Sequence, residues 1–202
     1  MMVTSIVPVD KRKSKVFLDG DFAFVLYNGE LRRYGIMEGG QVSEELCREI
    51  ETVVLNKRAR ERSLYLLKDS DKSESQIKEK LLKEGFPPQV VERTLDFLKK
   101  YRYVDDQSMA GRYVESRSRT KSRRQMAWEL RQKGMDEEIV REALEAGEPE
   151  EEAIRRLLRR KNGGEIPKDP QERQRLFAYL GRKGFSYQDI RAVLGELEES
   201  WE

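Results

Sequence analysis

The chain has 202 residues, 39% of them charged and 37% hydrophobic, so its apolar surface is spread too thinly for a single thick core. Forty Lys and Arg nearly balance 38 Asp and Glu for a net charge of +2, and there is no histidine. With Cys47 as the one cysteine, the commonest general base, the usual partner of a Ser or Cys nucleophile and the usual zinc ligand sets are all excluded, which leaves only carboxylate chemistry open to an enzyme.

No run approaches the roughly 18 apolar residues of a membrane span. The opening "MMVTSIVPVDKRK" also lacks the apolar stretch of a secretory signal, so a cytoplasmic protein with no membrane association is expected. "VTSIVPV", "KVFLDGDFAFVLYNG" and "GGQVS" carry β-branched and aromatic residues, with "DGD" between two apolar runs as a hairpin signal. "SEELCREIETVV" then turns helical and places Cys47 with Leu46 and Ile50 near an apolar face, as a small buried hydrophobe. So few strands must lean on another part of the chain for stability.

From about residue 59 the pattern repeats. "LLKEGFPPQVVERTL", "LRQKGMDEEIVREAL" and "LGRKGFSYQDIRAVL" align on Gly85, Gly134 and Gly184. Leu81, Leu130 and Leu180 stand four residues before these glycines and Ile77, Met126 and Leu176 eight before, an apolar stripe at helical spacing. Ser73 with Gln76, Ser122 with Gln125 and Asp169 with Glu172 have the spacing of capping boxes, and Pro170 suits the first helical position. Each glycine supplies a left-handed helix stop. Phe86, Met135 and Phe185 then pair with Val91, Val140 and Ile190 as hydrophobic staples of the next helix. A further helical segment precedes each pair: "RERSLYLLK", "QSMAGRYVESR" and "EEAIRRLLRRK". The expected fold is mainly α, with three tandem three-helix repeats in an elongated or curved array behind a small β-rich module. The expected boundaries are 1–58 for the module and its linking helix, then 59–106, 107–148 and 149–202 for the repeats.

"YVDD", residues 103–106, would in a polymerase hold catalytic magnesium. That use needs a β-hairpin and a third carboxylate, whereas "RTLDFLKKY" before it and "SMAGRYV" after it have helical spacing. Asp105 and Asp106 are therefore read as the start of the helix that holds Met109 and Tyr113, with no catalytic residue, metal or cofactor expected. At this point "YVDDQSMAGRYVESRSR" followed by "RQMAWELRQKGM" resembles the RecX family, as do "LYLLKDSDKSESQIKEKLLKEGFPPQVVERTLDFL", "GRKGFSYQDIRAVL" and the N-terminal "FLDGDFAF". The resemblance covers nearly the whole chain. It implies a non-catalytic regulator that binds the RecA recombinase filament and restrains its ATPase, strand-exchange and coprotease activities. One departure is "RTKSRR", where family members often carry a glycine in a basic loop.

Charge is polarised along the chain. Between Arg112 and Lys133, eight basic residues face two acidic ones; between Asp136 and Glu152, nine acidic residues face Arg141 alone. The basic block, Arg112, Arg117, Arg119, Lys121, Arg123, Arg124 and Arg131, suits phosphates or an acidic protein surface, or else forms a solvated, salt-bridged face. Trp128 lies about 160° around its helix from Met126 and Leu130, which suits either a contact with a partner or burial against the adjoining repeat. "RRLLRRK" adds Arg155, Arg156, Arg159 and Arg160 as a second basic candidate, with Leu157 and Leu158 read as core. The expected partners are the RecA filament and DNA directly, bound by a monomer. The competing class is a nucleic-acid-binding helical-repeat protein that acts without a recombinase.

Overall fold

The structure is a computed structural model that describes residues 1–199, which divide into two compact units, 1–104 and 105–199. In the first, β1 (Val3–Pro8), β2 (Lys13–Leu18) and β3 (Asp21–Tyr27) form an antiparallel sheet in the order β1-β2-β3. Asp19 and Gly20 make the two-residue turn between β2 and β3, with φ of 50° and 95°, the left-handed pair that matches strand twist in a tight hairpin. A short helix, α1 (Asn28–Arg33), follows β3. Nothing in the helical spacing announced it.

Next comes a continuous helical rod: α2 (Glu44–Glu49), a π-helical stretch (Ile50–Leu55) and α3 (Asn56–Leu67). Cys47 is 8% exposed inside the core, as its spacing predicts, and burial pushes its thiol above the ordinary value. The sheet contributes Val16, Phe24 and Leu26 to the same cluster that holds Leu55 and Ala59 from the rod and Leu81, Val91 and Leu95 from α4 (Glu74–Lys83) and α5 (Pro88–Lys100). The three strands thus share one core with the first repeat, which is what stabilises them.

The second unit holds α6 (Asp106–Arg117), α7 (Arg123–Gln132), α8 (Glu137–Glu145), α9 (Glu150–Asn162), α10 (Pro170–Arg182) and α11 (Tyr187–Glu199). Helices α6 to α8 close around Ala110, Met126, Leu130 and Val140, and α9 to α11 around Ile154, Leu158, Leu180 and Ile190. Leu157 and Leu158 are core, at 3% and 1% exposure.

The helix stops are as the spacing predicts. Gly85, Gly134 and Gly184 have φ of 85°, 70° and 92°. After each, the staple residue donates its N–H to the buried leucine: Phe86 to Leu81 (3.1 Å), Met135 to Leu130 (3.3 Å) and Phe185 to Leu180 (3.4 Å). These are Schellman turns, and they satisfy carbonyls that would otherwise end the helix unpaired. Ser73, Ser122 and Asp169 each cap the helix that follows, but only Ser73 closes the full reciprocal box with Gln76.

Arg62 on α3 grips Glu84, the last residue of α4's turn, through Nε to Oε2 (2.8 Å) and Nη2 to Oε1 (2.6 Å). These bonds hold the Glu84 carboxyl below its ordinary range, against an opposing push from burial. A carboxylate lowered on folding stabilises fully above its unfolded pKa of about 4.3, and that contribution is lost as pH falls through the folded value. Glu84→Gln should therefore cost ~1–2 kcal/mol at pH 7, allowing for partial exposure, and flatten the acid limb of thermal midpoint against pH. An acid limb identical to that of the parent would remove the pair from any role in acid unfolding.

Candidate functional site

Helix α6 starts at Asp105, whose Oδ1 accepts the Ser108 N–H at 2.8 Å. That is the cap expected of this aspartate. No group of three or more His, Cys, Asp or Glu positioned to hold a metal ion occurs among the described residues. Asp105→Asn should leave stability within ~0.5 kcal/mol and Asp105→Ala should cost ~1 kcal/mol, read by thermal unfolding. Metal-dependent turnover abolished by Asp105→Asn would instead make the carboxylate pair catalytic.

The basic block divides by environment. Lys121 is half-buried and donates to both oxygens of Glu129, at 2.6 and 2.7 Å, and Tyr113 and Gln125 bond the same carboxylate. Burial first, then the charges of Arg117 and Lys183, push the Lys121 ammonium below its ordinary value. The two contacts with the carboxylate make Lys121 one half of a local ion pair all the same. Ser122 is fully buried. Its Oγ caps α7 by accepting the Gln125 N–H at 3.1 Å, while its own N–H donates to the Lys183 carbonyl of the third repeat, also at 3.1 Å.

Arg123 is half-buried too. Its backbone N–H donates to Glu150 Oε1 at 3.1 Å, and Nη2 reaches the Gly147 and Glu148 carbonyls at 3.4 Å, which fastens the second repeat to the start of α9. The Glu150 carboxyl is raised above its ordinary value, by burial first and by Asp189 in addition, with the Arg123 N–H opposing.

Other members of the block face water. Arg117 and Arg119, at the corner between α6 and α7, and Arg124 on α7 are exposed, and their side chains make no ion pair or hydrogen bond with another described residue, although the charge of Arg124 acts on the Glu150 carboxyl. "RTKSRR" closes that corner without glycine, through the N–H groups of Thr120 and Lys121 on the Arg117 carbonyl. Trp128 is 56% exposed, one turn beyond Arg124. Arg131, a turn further, is exposed but paired with Glu137, with Nε to Oε2 at 2.8 Å. Arg124, Trp128 and Arg131 thus form one solvent-facing stripe. Arg112 is exposed and donates to Ser108 Oγ at 2.7 Å.

On α9, Arg156 is held by both oxygens of Glu148 and Arg155 lies 3.8 Å from Glu152, whereas Arg159 and Arg160 are exposed with no such pairing. Lys161, the last residue of "RRLLRRK", and Lys183, which sequence reasoning missed, have their ammonium groups 3.9 and 5.9 Å from the centre of the Tyr179 ring. Lys183 is the residue just before the third glycine. Its charge reaches Lys121 only because the repeats are joined at Ser122.

Fold and surface together define a tandem three-helix-repeat protein whose exposed helix faces carry unpaired cations and a tryptophan. Residues 59–98, 105–144 and 149–194 match, in order, the first, second and third three-helix domains of RecX, and the chain belongs to the RecX family. Regulatory protein RecX of Caldanaerobacter subterraneus subsp. tengcongensis is 30% identical over 199 residues, covering 96% of this chain and 98% of its own. A crystal structure of regulatory protein RecX, 26% identical, matches 96% of this chain and 98% of its own with a TM-score of 0.58. RecX from Lactobacillus salivarius shares the fold at 20% identity, with a TM-score of 0.60 over 71% of this chain. No helix among the described residues is long and apolar enough to cross a membrane.

Proposed function

We propose that the chain is a non-catalytic, cytoplasmic regulator of the RecA recombinase that binds the RecA–DNA filament as a monomer and restrains its ATPase, strand-exchange and coprotease activities. The supporting observation is the exposed α6–α7 corner and α7 stripe, Arg117, Arg119, Arg124 and Trp128, in a chain of the RecX family. Exposed cations that no described carboxylate grips directly are available to phosphates or to an acidic protein surface, and an exposed tryptophan among them is a typical anchor of a binding hot spot. Arg159 and Arg160 extend the proposed contact; Arg112, Arg131 and Arg155 border it. Lys121, Arg123 and Arg156 serve it indirectly, by holding the helices in place.

Binding of the full chain to naked DNA, to recombinase alone and to the assembled filament tests this reading. The filament should bind at least tenfold more tightly than either component. Equal affinity for naked DNA and for filament would instead identify a nucleic-acid-binding repeat protein that acts without a recombinase.

A further inference from the structure

Helix α5 ends in a turn of the same kind as the three glycine turns, but without the glycine. The Arg102 N–H donates to the Lys99 carbonyl at 3.0 Å and the Tyr103 N–H to the Leu98 carbonyl at 2.8 Å, which repeats the Schellman pattern. Arg102 occupies the left-handed position with φ of 57°. Among the described residues the only other non-glycine with positive φ is Asp19, in a hairpin turn where aspartate is at home. An arginine there is unfavourable, because its Cβ crowds the following carbonyl. Nothing among the described residues offsets this, since the Arg102 side chain is exposed and makes no ion pair or hydrogen bond with any of them.

What the turn displays suggests an external reason for the side chain. Tyr101 and Tyr103, on either side of Arg102, are 58% and 52% exposed. Their rings stand 4.9 and 6.2 Å from that of Phe97, which packs against the core of the first unit and anchors the group. Arg60 lies over Phe97 at 4.4 Å and Lys100 near Tyr101 at 5.8 Å, both without a carboxylate partner. The neighbouring Lys99, by contrast, is taken up by Glu74 at 2.8 Å. Exposed aromatic faces interleaved with three unpaired cations complement unpaired bases on a phosphate backbone: the rings stack on bases and the cations meet phosphates. A duplex hides its base faces and offers the rings nothing.

We infer that Tyr101, Arg102 and Tyr103, with Arg60 and Lys100, form a single-stranded nucleic-acid site in the first unit, and that Arg102 holds its strained conformation to place a cation between two stacking rings. This goes beyond the filament reading, which rests on residues of the second unit. The test uses the full chain and a fluorescein-labelled thymidine oligonucleotide, single-stranded or annealed to its complement, followed by anisotropy.

The single strand should bind more tightly than the duplex, and Tyr101→Ala with Tyr103→Ala should remove that preference, at about tenfold per ring. Arg102→Gly should reduce the slope of log affinity against log salt by about 0.7, the value for one lost contact to a single strand. Its thermal midpoint should not fall and should rise by up to about 4 °C as the strain is relieved. Equal affinity of the parent for both oligonucleotides, or a folded double variant that keeps the preference, overturns the site. A lowered midpoint in Arg102→Gly overturns the strain. Oligonucleotide binding that is intact in variants that no longer bind recombinase would make the rings a protein contact and overturn the proposal. Charge in the second unit does not distinguish paired from unpaired bases, and a preference carried by Trp128 would survive the double substitution.

Discussion

Gly184→Val should cost ~3 kcal/mol or more and lower the thermal midpoint by roughly 6–12 °C. Two effects combine. At φ of 92° a β-branched residue is forced into the left-handed region, and its Cβ would overlap Ser122 Oγ and lie 3.1 Å from Gln125 Cβ. Ser122 is fully buried and already committed to capping α7 and to the Lys183 carbonyl, so it has no room to retreat. Gly134→Val, at φ of 70°, should also destabilise, chiefly through backbone strain. Chemical denaturation of both variants gives the comparison. A Gly184→Val midpoint within a degree or two of the parent would mean that the joint between second and third repeats yields freely.

Replacing Arg117, Arg119 and Arg124 together with glutamine should abolish most inhibition of recombinase ATPase while leaving helix content and thermal midpoint unchanged. Exposed charges contribute less than about 1 kcal/mol each to stability, and none of these three makes an ion pair or hydrogen bond with another described residue. If they meet DNA phosphates, the slope of log affinity against log salt should fall by roughly 2–3. Extending the set to Lys121 and Arg123 should unfold the second repeat in part, because the Lys121 ammonium holds Glu129 and the Arg123 guanidinium holds the Gly147 and Glu148 carbonyls just ahead of α9. Trp128→Ala, at 56% exposure, should cost little stability and still weaken inhibition. A folded triple variant that inhibits at full strength over a range of protein concentrations would make this face merely solvated.

The three repeats were legible because each helix end is written in local chemistry. A serine or aspartate opens, a glycine closes, and a staple residue sets the next helix, all within one or two turns of sequence. Capping boxes were over-read in two cases. Gln125 reaches Glu129 at 2.9 Å instead of returning to the cap, a choice that depends on Lys121 and Tyr113 gathering at the same carboxylate. Helix α1 has six residues, too few to show a period; "SEELCREIETVV" was legible as helical, but the π-helical turn within it was not, because apolar spacing over so short a run does not distinguish it from an α-helical one.

The candidate site was legible as composition and not as availability. Which arginines are occupied depends on groups that sequence spacing does not place, such as the Gly147 carbonyl for Arg123 and Glu137 across a turn from Arg131. Trp128 was open between contact and burial, and its exposure places it at the surface. The aromatic turn at Tyr101 and Tyr103 was not legible, because without a glycine nothing local marks the left-handed Arg102 or the exposure of the rings beside it.

The rod over residues 44–67 bears on how this chain could exchange parts with a relative. It passes without a break from the side of the sheet into the first repeat, and Phe24, Leu55 and Leu95 lie in one core around it. A chimera spliced at residue 58 would cut that rod and pair half a core with a foreign half, whose side chains were shaped for other neighbours. Spliced between Val104 and Asp105, both parents would keep whole cores, and the incoming segment would begin on its own helix cap. The unit of inheritance that physics permits at the front of this chain is the sheet together with its first repeat.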